Sequence, residues 1–269
     1  MGRSPAQGGG AARSYTAGMT DELFATDAYL RTFEATVTEV DADHRLVVFD
    51  RTAFYPGGGG QPWDVGALRW HDGAADVSRT RRAGGRIWHE IAADQPLPEP
   101  GMELEGTLDW DRRHLLMRTH TALHILCGVI WQDFGVAVTG GNMEPGAGRL
   151  DFELDEMSAE LGRRLERRIN EEITRARDIA VEFLDRTEAD ADPALIRTKA
   201  NLIPASIDPL RIIDIRGLDR QADGGTHVAS TTEVGAVAVT RTESKGRANK
   251  RVRIRVTAPD AAAGHPGPA

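Results

Sequence analysis

The first half of the chain alternates apolar and polar residues over short runs separated by turn residues. The turn residues are Asp41 and Asp43, Asp72-Gly73 and Gly84-Gly85. Strands at this spacing predict a small barrel or sandwich, and the proline-rich segment 95–100 predicts a linker after it. Five runs have this strand pattern: residues 32–40, 45–50, 67–70, 74–79 and 86–91.

The second half mixes helical and strand periodicities. Residues 109–130 have a helical pattern, and apolar residues recur every fourth position from Leu161 to Ile173, which predicts an amphipathic helix. Strand-like runs surround them at residues 149–154, 179–184, 210–215, 234–240 and 251–256. The prediction is an α+β fold, with a small N-terminal β-barrel domain at 27–100 and a domain at 101–257 in which a helix packs on an antiparallel sheet. Residues 1–26 and 258–269 are expected to be flexible tails.

Composition narrows the class of protein. The 269 residues are 40% hydrophobic and 28% charged, as in ordinary globular proteins. A formal charge of −8 argues against a generally basic nucleic-acid coat, so any RNA contact needs a local patch. No apolar run has the length of a membrane span, and the first residues lack the apolar segment of a signal peptide. The single cysteine, Cys127, excludes an intramolecular disulfide framework and predicts a reducing, cytoplasmic location.

Two short motifs contain candidate metal ligands. His120 and His124 are four residues apart in the predicted helix, so both rings can face one ion. An isolated pair of this kind is also compatible with two histidines on a partly exposed helix. Residue 121 is threonine, so the motif lacks the glutamate base of a zinc protease. Asp223 and His227 flank two glycines and a threonine, which predicts a tight loop that is either a ligand pair or only a turn.

The two pairs together supply three imidazoles and one carboxylate, a full tetrahedral set for one Zn²⁺ ion per chain. Aspartate is a harder donor than thiolate, so we expect either weaker zinc binding or a more Lewis-acidic metal. Cys127 lies on nearly the same helix face but ~10 Å along the axis from His120, and we expect it to be a core residue.

The chain resembles the alanyl-tRNA editing proteins called AlaX and the editing domain of alanyl-tRNA synthetase. In that family a helical HxxxH motif pairs with a loop usually written CGGTH, which is DGGTH here at residues 223–227. Residues 52–66, TAFYPGGGGQPWDVG, are similar to the family's TxFYPxxGGQPxDxG element. Thr139-Gly140 and the segment 149–152 are similar to its helix-to-strand segment. The glycine run is not a P-loop, because no Lys-Ser/Thr follows it.

The resemblance implies hydrolysis of the ester that joins serine or glycine to tRNA(Ala), by a free-standing editing protein. It implies His120, His124, Asp223 and His227 as metal ligands, with the glycine-rich loop closing over the zinc centre. It also implies that Thr52 hydrogen-bonds the serine hydroxyl, although a structural threonine at a strand end is the alternative. Gln61 is expected to offer its amide to the site and to orient the attacking water.

An acidic protein needs local basic patches to bind tRNA. Arg112, Arg113 and Arg118 lead into the metal helix, and a second cluster lies near the C-terminus. Both clusters are equally compatible with solvated faces. The second cluster comprises Arg241, Lys245, Arg247, Lys250, Arg251, Arg253 and Arg255.

Two other functions fit the zinc-ligand pairs. One is the editing of Ser-tRNA(Thr) that belongs to threonyl-tRNA synthetases, against which the TxFYP element argues. The other is an RNA-binding relative in which the aspartate has weakened catalysis.

Overall fold

A computed structural model describes residues 19–199, 203–244, 246 and 249–257 of the protein. Its first elements are strand β1 (Asp21–Glu22) and the short helix α1 (Leu23–Thr26), in a stretch that the sequence assigns to a flexible tail. Phe24 is buried against the ring of Tyr55, and this burial explains why residues 21–26 belong to the fold. The rest of the two expected tails, 1–18 and 258–269, lies outside the described residues.

The predicted N-terminal barrel is confirmed. Six antiparallel strands close it in the order β2-β3-β7-β6-β5-β8, and alternate residues such as Phe33 and Leu68 fill its interior. The strands are β2 (Thr32–Asp41), β3 (Leu46–Phe49), β4 (Arg51–Thr52, which pairs with β1), β5 (Gly66–Trp70), β6 (Gly73–Ala83), β7 (Arg86–Ile91) and β8 (Glu103–Leu108). Strand β8 lies beyond the boundary expected at residue 100, because it closes the barrel by pairing with both β2 and β5.

The second half has the predicted α+β architecture. A four-stranded antiparallel sheet, in the order β14-β15-β10-β9, packs against two helices, and a three-stranded sheet has the order β11-β12-β13. The glycine-containing strand β9 and the short strand β13 have no counterpart in the sequence pattern. The elements are α2 (Trp110–Phe134), β9 (Val138–Glu144), β10 (Ala147–Phe152), α3 (Ala159–Thr174), β11 (Ile179–Leu184), α4 (Arg186–Asp190), β12 (Leu210–Ile215), β13 (Asp219–Ala222), β14 (Ala236–Ser244) and β15 (Lys250–Thr257).

Helix α2 runs through the core of this half. Asp109 caps its N-terminus by accepting a hydrogen bond from the Arg112 amide, and Gly135 ends it in the left-handed conformation, with φ at 66°. From residue 119 to residue 130 every side of the helix is buried, and Cys127 packs in the core as expected. The helix therefore carries His120 and His124 inside the protein. Among the described residues, no helix is long and apolar enough to cross a membrane.

A buried ion pair joins the barrel to α2. Arg113 is fully buried, and its Nε lies 2.9 Å from Oδ2 of Asp64, which is also buried. The same guanidinium donates to the carbonyl oxygens of Ala28 and Ala53. Separating the two residues would leave an uncompensated buried charge, which is strongly unfavourable. Because Asp64 belongs to the glycine-rich element and Arg113 to α2, the pair holds this element beside the helix.

Candidate metal centre

The four predicted ligands converge. His120 and His124 lie one turn apart on α2, while Asp223 and His227 lie in the loop that follows β13. One donor atom from each residue lies within 4.8 Å of the others, and the three imidazole centroids are 4.4 to 4.9 Å apart. All three histidines are buried. Three imidazoles and one carboxylate facing a common point form a group that can hold a metal ion.

The Asp223 side chain both shapes the loop and faces the imidazoles. Its Oδ2 accepts a hydrogen bond from the Gly225 amide at 2.6 Å and lies 3.2 Å from His227 Nε2. Its Oδ1 lies 3.7 Å from His120 Nε2. Asp223 therefore forms the predicted turn, and the same side chain is placed where it could bind a metal ion. A side chain at Gly225 would overlap the His120 ring, which explains the glycine there.

Each histidine has a partner at Nδ1. His120 Nδ1 lies 2.9 Å from Gln61 Oε1, and His227 Nδ1 lies 3.1 Å from Thr121 Oγ1. These contacts leave the Nε2 atoms directed to the centre of the group, as metal-binding histidines require.

The third histidine is held by the strand that precedes the loop. His124 Nδ1 lies 3.4 Å from Asp219 Oδ2 and 3.1 Å from the side-chain Nε2 of Gln221. None of the three partners Asp219, Gln221 and Thr121 was predicted from the sequence to contact a histidine of the site. The only sequence signal for them is their closeness to the ligand motifs.

The electrostatics of the group suit a cation. Burial lowers the pKa of His120 to about 4 and, together with the neighbouring imidazoles, lowers the pKa of His227 well below its usual range. Burial alone would raise the pKa of Asp223, but the nearby imidazoles lower it well below its usual value. For His124, burial lowers the pKa, but Asp219 and Asp223 outweigh this effect and raise it. Two neutral imidazoles and an ionised carboxylate are the protonation states that metal binding needs.

A cavity of about 630 Å³ opens onto the candidate metal centre. His120, His124 and Asp223 line it, together with Gly59 and Gly60 of the glycine-rich loop. The loop therefore lies beside the candidate ligands. The other walls of the cavity are largely apolar and contain three cations. None of the following wall residues was predicted from the sequence to belong to a site: Leu123, Val138, Met143, Leu150, Ile196, Ile203, Ile207, Arg197, Lys199 and Arg211.

Gln61 lies beside the four candidate ligands, and both polar atoms of its side-chain amide contact protein groups. Oε1 accepts from His120 Nδ1 and from the Thr226 amide, and Nε2 donates to Thr226 Oγ1, each at 2.9 Å. The side chain thus holds the candidate ligand His120 through Nδ1. That Gln61 also orients the attacking water stays a prediction. Thr52 is not brought to the cavity. Its buried hydroxyl lies 2.9 Å from His89 Nε2 and accepts from the Phe54 amide, which favours the structural alternative.

The structure removes some residues from the expected tRNA surface. The prediction that Arg113 contacts tRNA is wrong, because its guanidinium is buried against Asp64. Lys250 is also buried, and its Nζ donates to Ser244 Oγ and to the Gly246 carbonyl oxygen. Lys245 and Arg247 lie outside the described residues.

The remaining arginines of the two clusters keep some exposure. Arg112 donates to the Trp63 carbonyl and Arg118 to the Val234 carbonyl. Arg251 pairs with Asp151 and Arg253 pairs with Glu243. The other two, Arg241 and Arg255, are exposed.

Comparisons with known proteins agree with this architecture. A family model described as tRNA synthetases class II (A) matches residues 16–112, and one described as the threonyl and alanyl tRNA synthetase second additional domain matches residues 210–253. The alanyl-tRNA editing protein AlaX-M of Saccharolobus solfataricus is 37% identical over 87% of this chain and 98% of its own length. AlaX-M of Methanosarcina barkeri is 36% identical with the same coverage. The alanine–tRNA ligase of Pyrobaculum arsenaticum is 37% identical over 83% of this chain, which covers 25% of that enzyme. The chain therefore belongs to the AlaX family of alanyl-tRNA editing proteins.

Proposed function

We propose that this protein is a free-standing deacylase that hydrolyses the ester bond of Ser-tRNA(Ala) or Gly-tRNA(Ala). The observation that carries the proposal is the convergence of three histidines and Asp223 on one point of a cavity wall, in a chain of the AlaX family. Such an activity is needed because a synthetase pocket shaped for alanine cannot strongly exclude the smaller glycine or the slightly larger serine.

We propose Zn²⁺ as the metal, because imidazole and carboxylate are ordinary zinc ligands and four donors complete a tetrahedron. The donor set fits the ion: three buried imidazoles have partners at Nδ1, and the carboxylate is ionised. When bound, zinc would supply Lewis acidity at the ester.

The protein groups around the centre position the reaction. Gln61, Thr121 and Asp219 hold the imidazoles at fixed orientations, so little reorganisation is needed when the site fills. Gly59 and Gly60 let the backbone form a cavity wall without side chains, which leaves room for the aminoacylated end of the tRNA. Leu123 and Leu150 make another wall apolar and limit water near the ester.

We propose that the body of the tRNA lies on the neighbouring strands β14 and β15. Arg241 and Arg255 are exposed there, and Arg253 is 41% exposed beside Glu243. Contacts of this kind bind phosphates without reading sequence, so we expect the affinity for tRNA to fall as salt concentration rises.

The test measures deacylation and metal content on the same purified sample, with Ser-tRNA(Ala), Gly-tRNA(Ala), Ser-tRNA(Thr) and Ala-tRNA(Ala) as substrates. We expect the wild type to clear the first two, and His124→Ala to lose both metal and activity. His44→Ala is the matched control, because His44 is exposed and contacts Asp41 on the barrel. Metal-replete wild type that leaves both mischarged tRNA(Ala) species intact would contradict the enzyme proposal. Preferential cleavage of Ser-tRNA(Thr) would instead support the threonyl alternative.

A further inference from the structure

Arg197 has hydrogen-bonding capacity that the described residues do not use. The residue is only 9% exposed, its Nε donates to Asp219 Oδ1 at 3.2 Å, and its guanidinium lies 4.2 Å from the centre of the Trp131 ring. Within the part of the chain that the structure describes, its buried Nη1 has no hydrogen-bond partner. A buried donor without an acceptor is costly, so it calls for an acceptor that arrives from outside the chain.

Arg197 faces the cavity that holds the metal ligands. It lines the same cavity as His120, His124 and Asp223. Asp219 lies between them, because its Oδ1 accepts from Arg197 and its Oδ2 lies 3.4 Å from His124 Nδ1. Arg197 is therefore separated from a metal ligand by a single carboxylate.

The backbone fixes this position before any ligand binds. The Arg197 carbonyl accepts a hydrogen bond from the Val138 amide at 2.8 Å, and the Val138 carbonyl accepts one from the Lys199 amide at 2.8 Å. These bonds attach the segment to strand β9. The guanidinium itself is held by Asp219 and by the Trp131 ring, so it loses little side-chain entropy when it binds a ligand.

The other two cations of the cavity wall are already engaged. Arg211 donates to the carbonyl oxygens of Ala25, Asp223 and Gly225, so it fastens the ligand loop. The Lys199 side chain is 63% exposed and pairs with Glu153 at 2.5 Å. Arg197 differs from both, since its single carboxylate partner is shared with Gln221 and His124.

We propose that Arg197 binds the phosphate group of the 3′-terminal nucleotide of the tRNA. A guanidinium matches a phosphate in charge and in fork geometry. In the terminal nucleotide the 5′-phosphate and the 3′-ester are on opposite sides of one ribose, so a phosphate subsite in the cavity that holds the metal ligands would orient the ester toward them. This inference rests on the proposed function, because it takes its ligand from that substrate.

Binding of adenosine 5′-monophosphate (AMP) tests the subsite without catalysis. On zinc-loaded protein, we expect AMP to bind at least about tenfold more tightly than adenosine, as one charged hydrogen bond would give. Arg197→Gln should abolish the difference while it keeps its zinc, and Arg197→Lys should keep part of it. Lys199→Gln, which removes an exposed and already paired cation of the same wall, should bind AMP like the wild type. An unchanged AMP preference in Arg197→Gln would overturn the proposal, as would inorganic phosphate that binds as tightly as AMP.

Deacylation of two substrates separates phosphate binding from an effect through Asp219. We expect Arg197→Gln to lower kcat/KM for Ser-tRNA(Ala) by about 10- to 100-fold and to leave the rate with 3′-seryl-adenosine, which has no phosphate, within about twofold. Equal losses on both substrates would overturn the proposal, because they would assign Arg197 to positioning His124. If the wild type hydrolyses neither substrate, the proposed function fails, whereas the AMP comparison still decides whether the phosphate subsite exists.

Discussion

Replacing Gln61 by leucine tests whether this side chain holds a metal ligand or acts on water. In the structure its Oε1 accepts hydrogen bonds from His120 Nδ1 and from the Thr226 amide, and its Nε2 donates to Thr226 Oγ1, all at 2.9 Å. Leucine has a similar size and removes all three contacts. The side chain is only 3% exposed, so water cannot easily replace them.

The expected magnitude follows from the groups that lose a partner. Two buried donors, on His120 and Thr226, lose their acceptor, and each costs about 1–3 kcal/mol. The free energy of unfolding should therefore fall by roughly 2–6 kcal/mol. Without its partner at Nδ1, the His120 ring is no longer fixed in orientation, and its proton is no longer held on Nδ1. Metal binding should therefore weaken by about 10- to 100-fold.

The assay is zinc affinity by competition with a chromophoric chelator, together with thermal unfolding and deacylation at saturating zinc. The matched control is Gln61→Glu, because a carboxylate keeps the acceptor for both donors and loses only the bond to Thr226 Oγ1. We expect the control to bind zinc within a fewfold of the wild type. A leucine variant with wild-type zinc affinity but a much lower kcat would refute the reasoning and return Gln61 to the role of orienting water.

Four further predictions test other parts of the structure. Asp223→Cys should tighten zinc binding by roughly tenfold or more in chelator competition, because thiolate is the softer donor; no change would mean that the carboxylate is not a ligand. Gly225→Ala should weaken metal binding and cost about 1–3 kcal/mol in thermal unfolding, because its methyl group overlaps a ligand ring, whereas Gly224→Ala, in open space, should be tolerated. Burial lowers the pKa of His89 to about 3, so the folded state resists protonation; as pH falls from 6.5 toward 3 the stability should decline, by about 2 kcal/mol between pH 6.5 and 5, and urea titrations should show a shallower decline for His89→Gln. Arg113→Met should destabilise the fold by about 3–5 kcal/mol, because it leaves a buried carboxylate unpaired; an intact melting temperature with weakened tRNA binding would restore its predicted place on the RNA surface.

The features that were predictable from the sequence depend on local order. Alternation in strands places side chains on one face or the other, so the barrel strands are visible in the pattern of residues 32–91. Helical spacing likewise places His120 and His124 on one face wherever the helix packs. The identities of these donors, and of Asp223 and His227, restrict the chemistry to metal binding once they occur together.

The roles that were assigned wrongly or missed depend on distant partners. Arg113 has the sequence context of a surface charge, but it meets Asp64, 49 positions away, in the interior. Gln61 donates to Thr226, 165 positions away, so its contact with the ligand loop exists only in the folded chain. Arg197 has no local motif at all, and its importance arises only because the fold places it beside Asp219 in the cavity.

The sequence by itself determined the strand and helix periodicity, the four candidate metal donors and the membership in one family. Tertiary structure decided which groups support that chemistry and which polar side chains are structural. The physical reason is that donor identity and backbone period are properties of short segments. Burial, pKa and hydrogen-bond partners depend on contacts such as the one between Gln61 and His120, which exist only after the barrel has packed against helix α2.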